Sequence, residues 1–225
     1  MVKIVVLDDY QGVALSLADW SVLPQGTEIT VLSHHLAGKQ ELIRQLGEFE
    51  VISAMRERTV FSADTLKQLP NLKLLVTTGM RNASIDLDAA TELGILVCGT
   101  GGSAQATSEL TWGLILALLR HIPDENMSIR KGDWQKTIGN GLEGKTLGVL
   151  GLGRLGSQVA IVGQAFGMSV IAWSQNLTEE RALEFNAELV TKDVLFAVSD
   201  VVTIHLQLSD RTRGLVGERE LALMK

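Results

Sequence analysis

The stretch Thr146-Leu-Gly-Val-Leu150-Gly151-Leu-Gly153-Arg154-Leu155-Gly156 decides the fold of this chain. Its first five residues are an apolar run of strand length, and helical periodicity begins at Ser157 and continues to Phe166. The glycines therefore stand in a turn between a strand and a helix. In that setting the first makes the tight turn, the second lets the backbone approach a pyrophosphate, and the third lets the helix pack close to the strand. The helix N-terminus then offers unpaired N–H groups and a positive dipole end to the phosphates. The reading predicts a dinucleotide held at Gly151, Gly153, Arg154, Leu155 and Gly156. The competing reading, a glycine-rich turn without a ligand, is disfavoured by the strand-turn-helix order.

The same fingerprint expects an acid about 20 residues further on, at the end of the next strand, to bond the ribose 2′-hydroxyl. Here that place holds Ser174, followed by Gln175 and Asn176. With no carboxylate to repel a 2′-phosphate, and three polar side chains able to bond one, NADP(H) is slightly favoured over NAD(H). The absence of a neighbouring Lys or Arg, and the nearness of Glu179 and Glu180, argue the other way.

The rest of the second half continues as alternating strand and helix, with strands expected at 146–150, 169–173, 187–190 and 201–205 and helices at 179–185 and 192–198. Only four strands can be found where a doubly wound sheet has about six, and 218–225 reads as the opening of another helix. The chain is therefore expected to be cut short. The first hundred residues show apolar runs at 3–7, 28–32, 50–53, 72–77 and 95–98, separated by amphipathic stretches such as 39–46 and 62–69. That alternation predicts a parallel sheet covered on both faces, a flavodoxin-like unit. The longest helical signal, 103–120, carries an apolar stripe at Ala104, Leu110, Leu114 and Leu118 with Trp112 beside it. It marks a junction, so the expected organisation is α/β throughout: a flavodoxin-like substrate domain at 1–100 and a Rossmann dinucleotide-binding domain at 101–225, incomplete at its C-terminus.

Composition narrows the partners. The 225 residues are 46% hydrophobic and 20% charged, which excludes disorder as the main state. With 20 Lys+Arg against 26 Asp+Glu and no basic cluster, nucleic acid is not an expected partner. The longest apolar run falls well short of the ~20 residues that span a bilayer, and no membrane segment is expected. The single cysteine, Cys98, cannot form an intrachain disulfide, so a reducing cytoplasm is inferred, with Cys98 as a buried structural thiol. His34 and His35 lack any Cys or carboxylate at ligand spacing and read as a surface loop rather than a metal site. Asp8 and Asp9 suggest the acidic pair of a phospho-receiver domain, but such a domain needs an aspartate after its third strand, where this chain has Ser53-Ala-Met-Arg56.

Four stretches together resemble the D-isomer-specific 2-hydroxyacid dehydrogenases: 69–86, with Thr77-Thr78-Gly79-Met80-Arg81-Asn82; Ala106-Thr-Ser-Glu109; 144–156; and Ser199-Asp-Val-Val-Thr-Ile-His205. The resemblance, which runs from the first strand to Lys225, implies an NAD(P)-dependent oxidoreductase that transfers a hydride between nicotinamide and a small 2-keto or 2-hydroxy acid, working as a homodimer. It implies that backbone N–H groups of Thr78, Gly79 and Met80 hold the substrate carboxylate, a geometry that a glycine-centred turn can provide. Arg56 or Arg81 could add a guanidinium, although a solvated surface charge is as good a reading of either. Asn82 is expected to brace the turn through its own backbone bonds. Thr107, His205, Leu206 and Thr212 are implied to lie near the cofactor, and His205 is not the family's catalytic histidine. By the same resemblance the catalytic Arg, Glu and His come after Lys225, so the chain as given is expected to lack its acid and its base. The alternative is a nucleotide-binding interaction protein on the same fold. Trp112 and the leucine face of 103–120 could form the dimer contact or pack within the chain.

Overall fold

The computed structural model describes residues 1–225 and divides into two compact units, Met1–Gly102 and Ser103–Lys225. In the first, strands β1 (Lys3–Val6), β2 (Glu28–Val31), β3 (Val51–Ala54), β4 (Leu74–Thr77) and β5 (Leu96–Gly99) form one sheet in the order β2-β1-β3-β4-β5, every pair parallel. This is the flavodoxin-like order. Helices α1 (Lys39–Leu46), α2 (Ala63–Leu66) and α3 (Leu87–Glu92) connect the strands, with short 3-10 turns at Ala14–Ser16 and Trp20–Val22. Parallel strands joined by helical crossovers must be apolar on both faces, and Val5, Ile52 and Leu75 are fully buried beside Leu46, Phe61 and Leu66 from the connections.

The second unit opens with α4 (Ala104–Leu119) and α5 (Ile122–Arg130). It continues through β6 (Thr146–Leu150), α6 (Arg154–Ala165), β7 (Ser169–Trp173), α7 (Glu179–Leu183), β8 (Glu188–Leu189), α8 (Lys192–Val198), β9 (Val201–Ile204) and α9 (Glu218–Leu223). The strands are parallel in the order β8-β7-β6-β9, the first four positions of a doubly wound sheet. The period of two separates its cores. Leu147, Val149, Val170 and Ala172 pack with Trp112 and Val159 on one face, while Leu150 and Ile171 meet Leu195 and Phe196 on the other. No helix is long and apolar enough to cross a membrane.

The structure departs from the sequence expectations in several places. Two helices are absent from the sequence expectations. α3 is six residues long and rests on its cap, the Asp86 carboxylate accepting from Ala89 N at 3.0 Å, so it is too short for a periodicity signal. α5 starts directly after α4, turned by His121 at φ 52° with Pro123 in its first turn. The apolar stripe of α4 does not face the unit's own core: Leu110, Leu114 and Leu118 are exposed, and the buried side is Ser108, Trp112 and Ile115. Trp112 lies inside this unit, donating to Val159 O at 3.3 Å and packing 5.1 Å from the Phe166 ring, because glycine at 163 leaves room for its indole. Cys98 lies within β5 and is only half-buried. His35 is more than a loop residue: its Nδ1 lies 3.0 Å from the buried Asp8 carboxylate, which also accepts from Tyr10 and Thr59.

Candidate functional site

In the second unit the geometry at the end of β6 follows from three glycines in three different situations. Gly151 has φ +102°, a conformation that side chains rarely adopt, and it packs against the backbone of His205. Gly156 sits against the carbonyl of Gly151, and a Cβ there would overlap that oxygen, so only glycine lets α6 approach β6 this closely. Gly153, the N-cap of α6, is different. It is exposed, and nothing lies within 4 Å of where its Cβ would point. Space is thus left open above the turn, beside a twelve-residue helix whose first N–H groups have no acceptor within the helix. A diphosphate fits this chemistry: open space, glycine backbone and unpaired donors at a positive dipole end.

A cavity of about 130 Å³ lies at the end of β7. Ser174, Gln175 and Asn176 line it from one side, and Leu206, Arg211 and Thr212 from the segment after β9; Trp173 and Leu215 add apolar wall. Residues far apart in sequence are brought together because β7 and β9 flank β6 in parallel, so their C-terminal ends point the same way. Arg211 is the residue that sequence reasoning misses. No spacing rule links it to Ser174, and only the sheet order does. None of the lining residues is acidic. Thr212 holds the loop, donating its hydroxyl to Gln207 O at 2.7 Å and accepting from Ser209 N at 2.8 Å. His205 is half-buried, with Nε2 2.8 Å from Thr203 Oγ1, and burial pushes its pKa below the usual imidazole value. Its partner is a hydroxyl, not a carboxylate. Thr107 stands exposed on α4, its carbonyl accepting from Thr111 at 2.8 Å, and is not part of this cavity.

The first unit gathers the expected substrate residues at the C-terminal ends of β3 and β4. Gly79 has φ +99°, and the Arg56 guanidinium lies against it where a side chain would stand. Arg56 is itself in a left-handed conformation, φ 51°. Its N–H donates to Thr78 Oγ1 at 3.0 Å. Asn82 bridges the two loops, donating to Arg56 O at 2.6 Å and Thr77 Oγ1 at 2.8 Å while accepting from Ser84 N. The expected cradle of three N–H groups is nevertheless mostly used internally. Thr78 N–H bonds Ala54 O at 3.1 Å as the ladder continues past the strand, and Gly79 N–H bonds Thr100 Oγ1 at 3.0 Å. That leaves the Met80 N–H and the guanidiniums. Met80 and Arg81 are exposed.

Comparison with known proteins adds to this geometry. The family described as D-isomer specific 2-hydroxyacid dehydrogenase, NAD binding domain, matches residues 112–225. A glyoxylate reductase from Aeropyrum pernix is 42% identical over 172 residues, 72% of this chain and 51% of that protein. A D-3-phosphoglycerate dehydrogenase from Methanocaldococcus jannaschii is 35% identical over 229 residues, 100% of this chain and 42% of its own length. The crystal structure of a phosphoglycerate oxidoreductase from Vibrio cholerae superposes with a TM-score of 0.93 at 38% identity, covering 100% of this chain and 73% of that one. The chain spans about half the length, or less, of the two relatives matched by sequence.

Proposed function

Because the chain belongs to the D-isomer specific 2-hydroxyacid dehydrogenase family, we propose that it supplies the nucleotide and substrate contacts of an oxidoreductase acting on a small 2-keto or 2-hydroxy acid. The observation that carries this is the turn 151–156, where a strand ends at a left-handed glycine, open space lies over Gly153, and a long helix points its unpaired N–H groups outward. In this reading residues 1–100 hold the substrate and 101–225 hold the dinucleotide. The bound nicotinamide supplies the hydride. The chain's own residues bind and orient: Gly151, Gly153, Arg154, Leu155 and Gly156 at the diphosphate, Ser174, Gln175 and Asn176 at the adenosine ribose, and His205, Leu206, Thr212 and Thr107 as further contacts. NADP(H) is taken at least as well as NAD(H), since a serine stands where a repelling carboxylate would be. The Arg56 guanidinium and the Met80 N–H face the substrate carboxylate, with Arg81 adding charge and Asn82 bracing the loop. His205, bonded to a hydroxyl and with its pKa lowered by burial, is not a carboxylate-tuned acid.

The test is titration of the chain with NADH and NADPH by fluorescence and thermal shift, followed by assays of glyoxylate and hydroxypyruvate reduction. Binding of neither nucleotide would remove the reading. Turnover of either 2-keto acid would show that the chain carries an acid and base of its own, and a partner bound only when nucleotide is bound would favour a nucleotide-dependent interaction protein. The exposed Leu110, Leu114 and Leu118, spaced four apart along one face of α4, support a homodimer, because an apolar helix face is seldom left open to water. Light scattering after size exclusion measures it, and a monomer at micromolar concentration would reject it.

A further inference from the structure

We propose that Arg211 is the residue that selects a 2′-phosphorylated dinucleotide, its guanidinium bonding the 2′-phosphate across the cavity from Ser174, Gln175 and Asn176. The proposal rests on reading the second unit as a dinucleotide site, and it names the side chain that decides which dinucleotide enters. Three observations support it. First, the position that would repel a 2′-phosphate carries Ser174, and no acidic side chain lines the cavity. Glu179 and Glu180, close in sequence, are not among the residues that line it. Second, Arg211 is spare charge. Arg44, Arg181 and Arg219 are each matched to a carboxylate, whereas Arg211, like Arg154 and Arg213 of the same unit, has no side-chain ion pair or hydrogen bond within the chain, and of these three only Arg211 lines the cavity. Third, its backbone is positioned. Thr212 closes the loop through Gln207 and Ser209, and Arg213 N–H bonds Ser209 O at 2.9 Å, so the cation is delivered from a fixed turn. A guanidinium can take two phosphate oxygens at once, and the Leu206 and Leu215 walls lower the local dielectric around that contact.

Dissociation constants for NADPH and NADH, measured on the full chain and on Arg211→Gln and Arg211→Lys, test this. The parent is expected to bind NADPH more tightly than NADH. Arg211→Gln should weaken NADPH by about tenfold to hundredfold, the loss of a charge-assisted bond, and leave NADH within about twofold. Arg211→Lys should recover part of the loss, because a lysine keeps the charge but not the fork. Adenosine 2′,5′-bisphosphate should compete better than adenosine 5′-monophosphate, and that advantage should vanish in Arg211→Gln. Arg211 is exposed and unbonded, so the melting temperature serves as a control for folding. An unchanged NADPH affinity in Arg211→Gln, an equal loss for both nucleotides, or a parent that prefers NADH would overturn the role of Arg211 while leaving dinucleotide binding intact. A parent that binds neither nucleotide would instead overturn the reading beneath it.

Discussion

Adding one methyl group at Gly153 should weaken nucleotide binding alone, whereas at Gly156 it should weaken binding and stability together, and the contrast tests the nucleotide turn directly. At Gly153 the new Cβ meets nothing within 4 Å, and φ is −87°, which alanine adopts freely. Alanine is a poorer N-cap than glycine, at a cost of about 0.5–1 kcal/mol, and restricting the unfolded chain returns about 0.4–1 kcal/mol. The two nearly cancel. At roughly 2–4 °C per kcal/mol for a chain of this size, Gly153→Ala should move the melting temperature by no more than about 3 °C. Its methyl projects into the space assigned to the diphosphate, so affinity for NADH and NADPH should fall at least about tenfold, the equivalent of 1.4 kcal/mol. At Gly156 the methyl meets a backbone oxygen and Val149 Cγ1 at 3.0 Å. Overpacking costs about 1–3 kcal/mol, and here the neighbour is main chain that cannot swing aside, while the gain in helix propensity offsets about 1 kcal/mol. Gly156→Ala should therefore lose both stability and binding. The assay is differential scanning fluorimetry paired with fluorescence titration on each variant. Parent-like affinity in Gly153→Ala would refute the assignment of the diphosphate to this turn.

Other outcomes follow from individual contacts. Asp8→Ala removes the acceptor shared by His35, Tyr10 and Thr59 at a buried residue with φ 57°, and should destabilise the chain by about 2–4 kcal/mol in urea unfolding, with Asn, which tolerates that conformation, losing less. Glu220 is held at a pKa of about 2, first by Lys192 and then by the Gly217 N–H. Its folded pKa lies below the ordinary 4.5, so its contribution is fully present above about pH 4.5 and is lost as pH falls toward 2. Glu220→Gln should flatten the melting temperature against pH across that window, and an unchanged slope would count against the contact. Thr100→Val keeps the shape but frees the Gly79 N–H, whose hydrogen exchange should speed up by about fivefold if that bond is worth the usual ~1 kcal/mol. Leu114→Lys on the exposed side of α4 should shift any dimer to monomer without lowering the melting temperature of the isolated subunit.

The local chemistry of this protein is legible in its sequence. The run 146–156 dictates strand, turn and helix because glycines at those spacings meet needs set within a few residues, and β6 and β7 begin and end where the apolar runs do. Short parallel strands are readable for the same reason: burial on both faces leaves continuous apolar runs. Elements that rest on one capping bond or one left-handed residue, α3 and α5, leave no such run. Which face of α4 meets its own core is not readable either, since that helix is apolar nearly all round and only packing against α6 selects Trp112 over Leu114. Tertiary structure alone decides three further matters: that Thr100 takes the Gly79 N–H, that the Arg56 guanidinium lies over Gly79, and that Arg211 shares a cavity with Ser174. Each joins residues remote in the chain, and their nearness comes from the order in which parallel strands lie side by side, which no local pattern encodes.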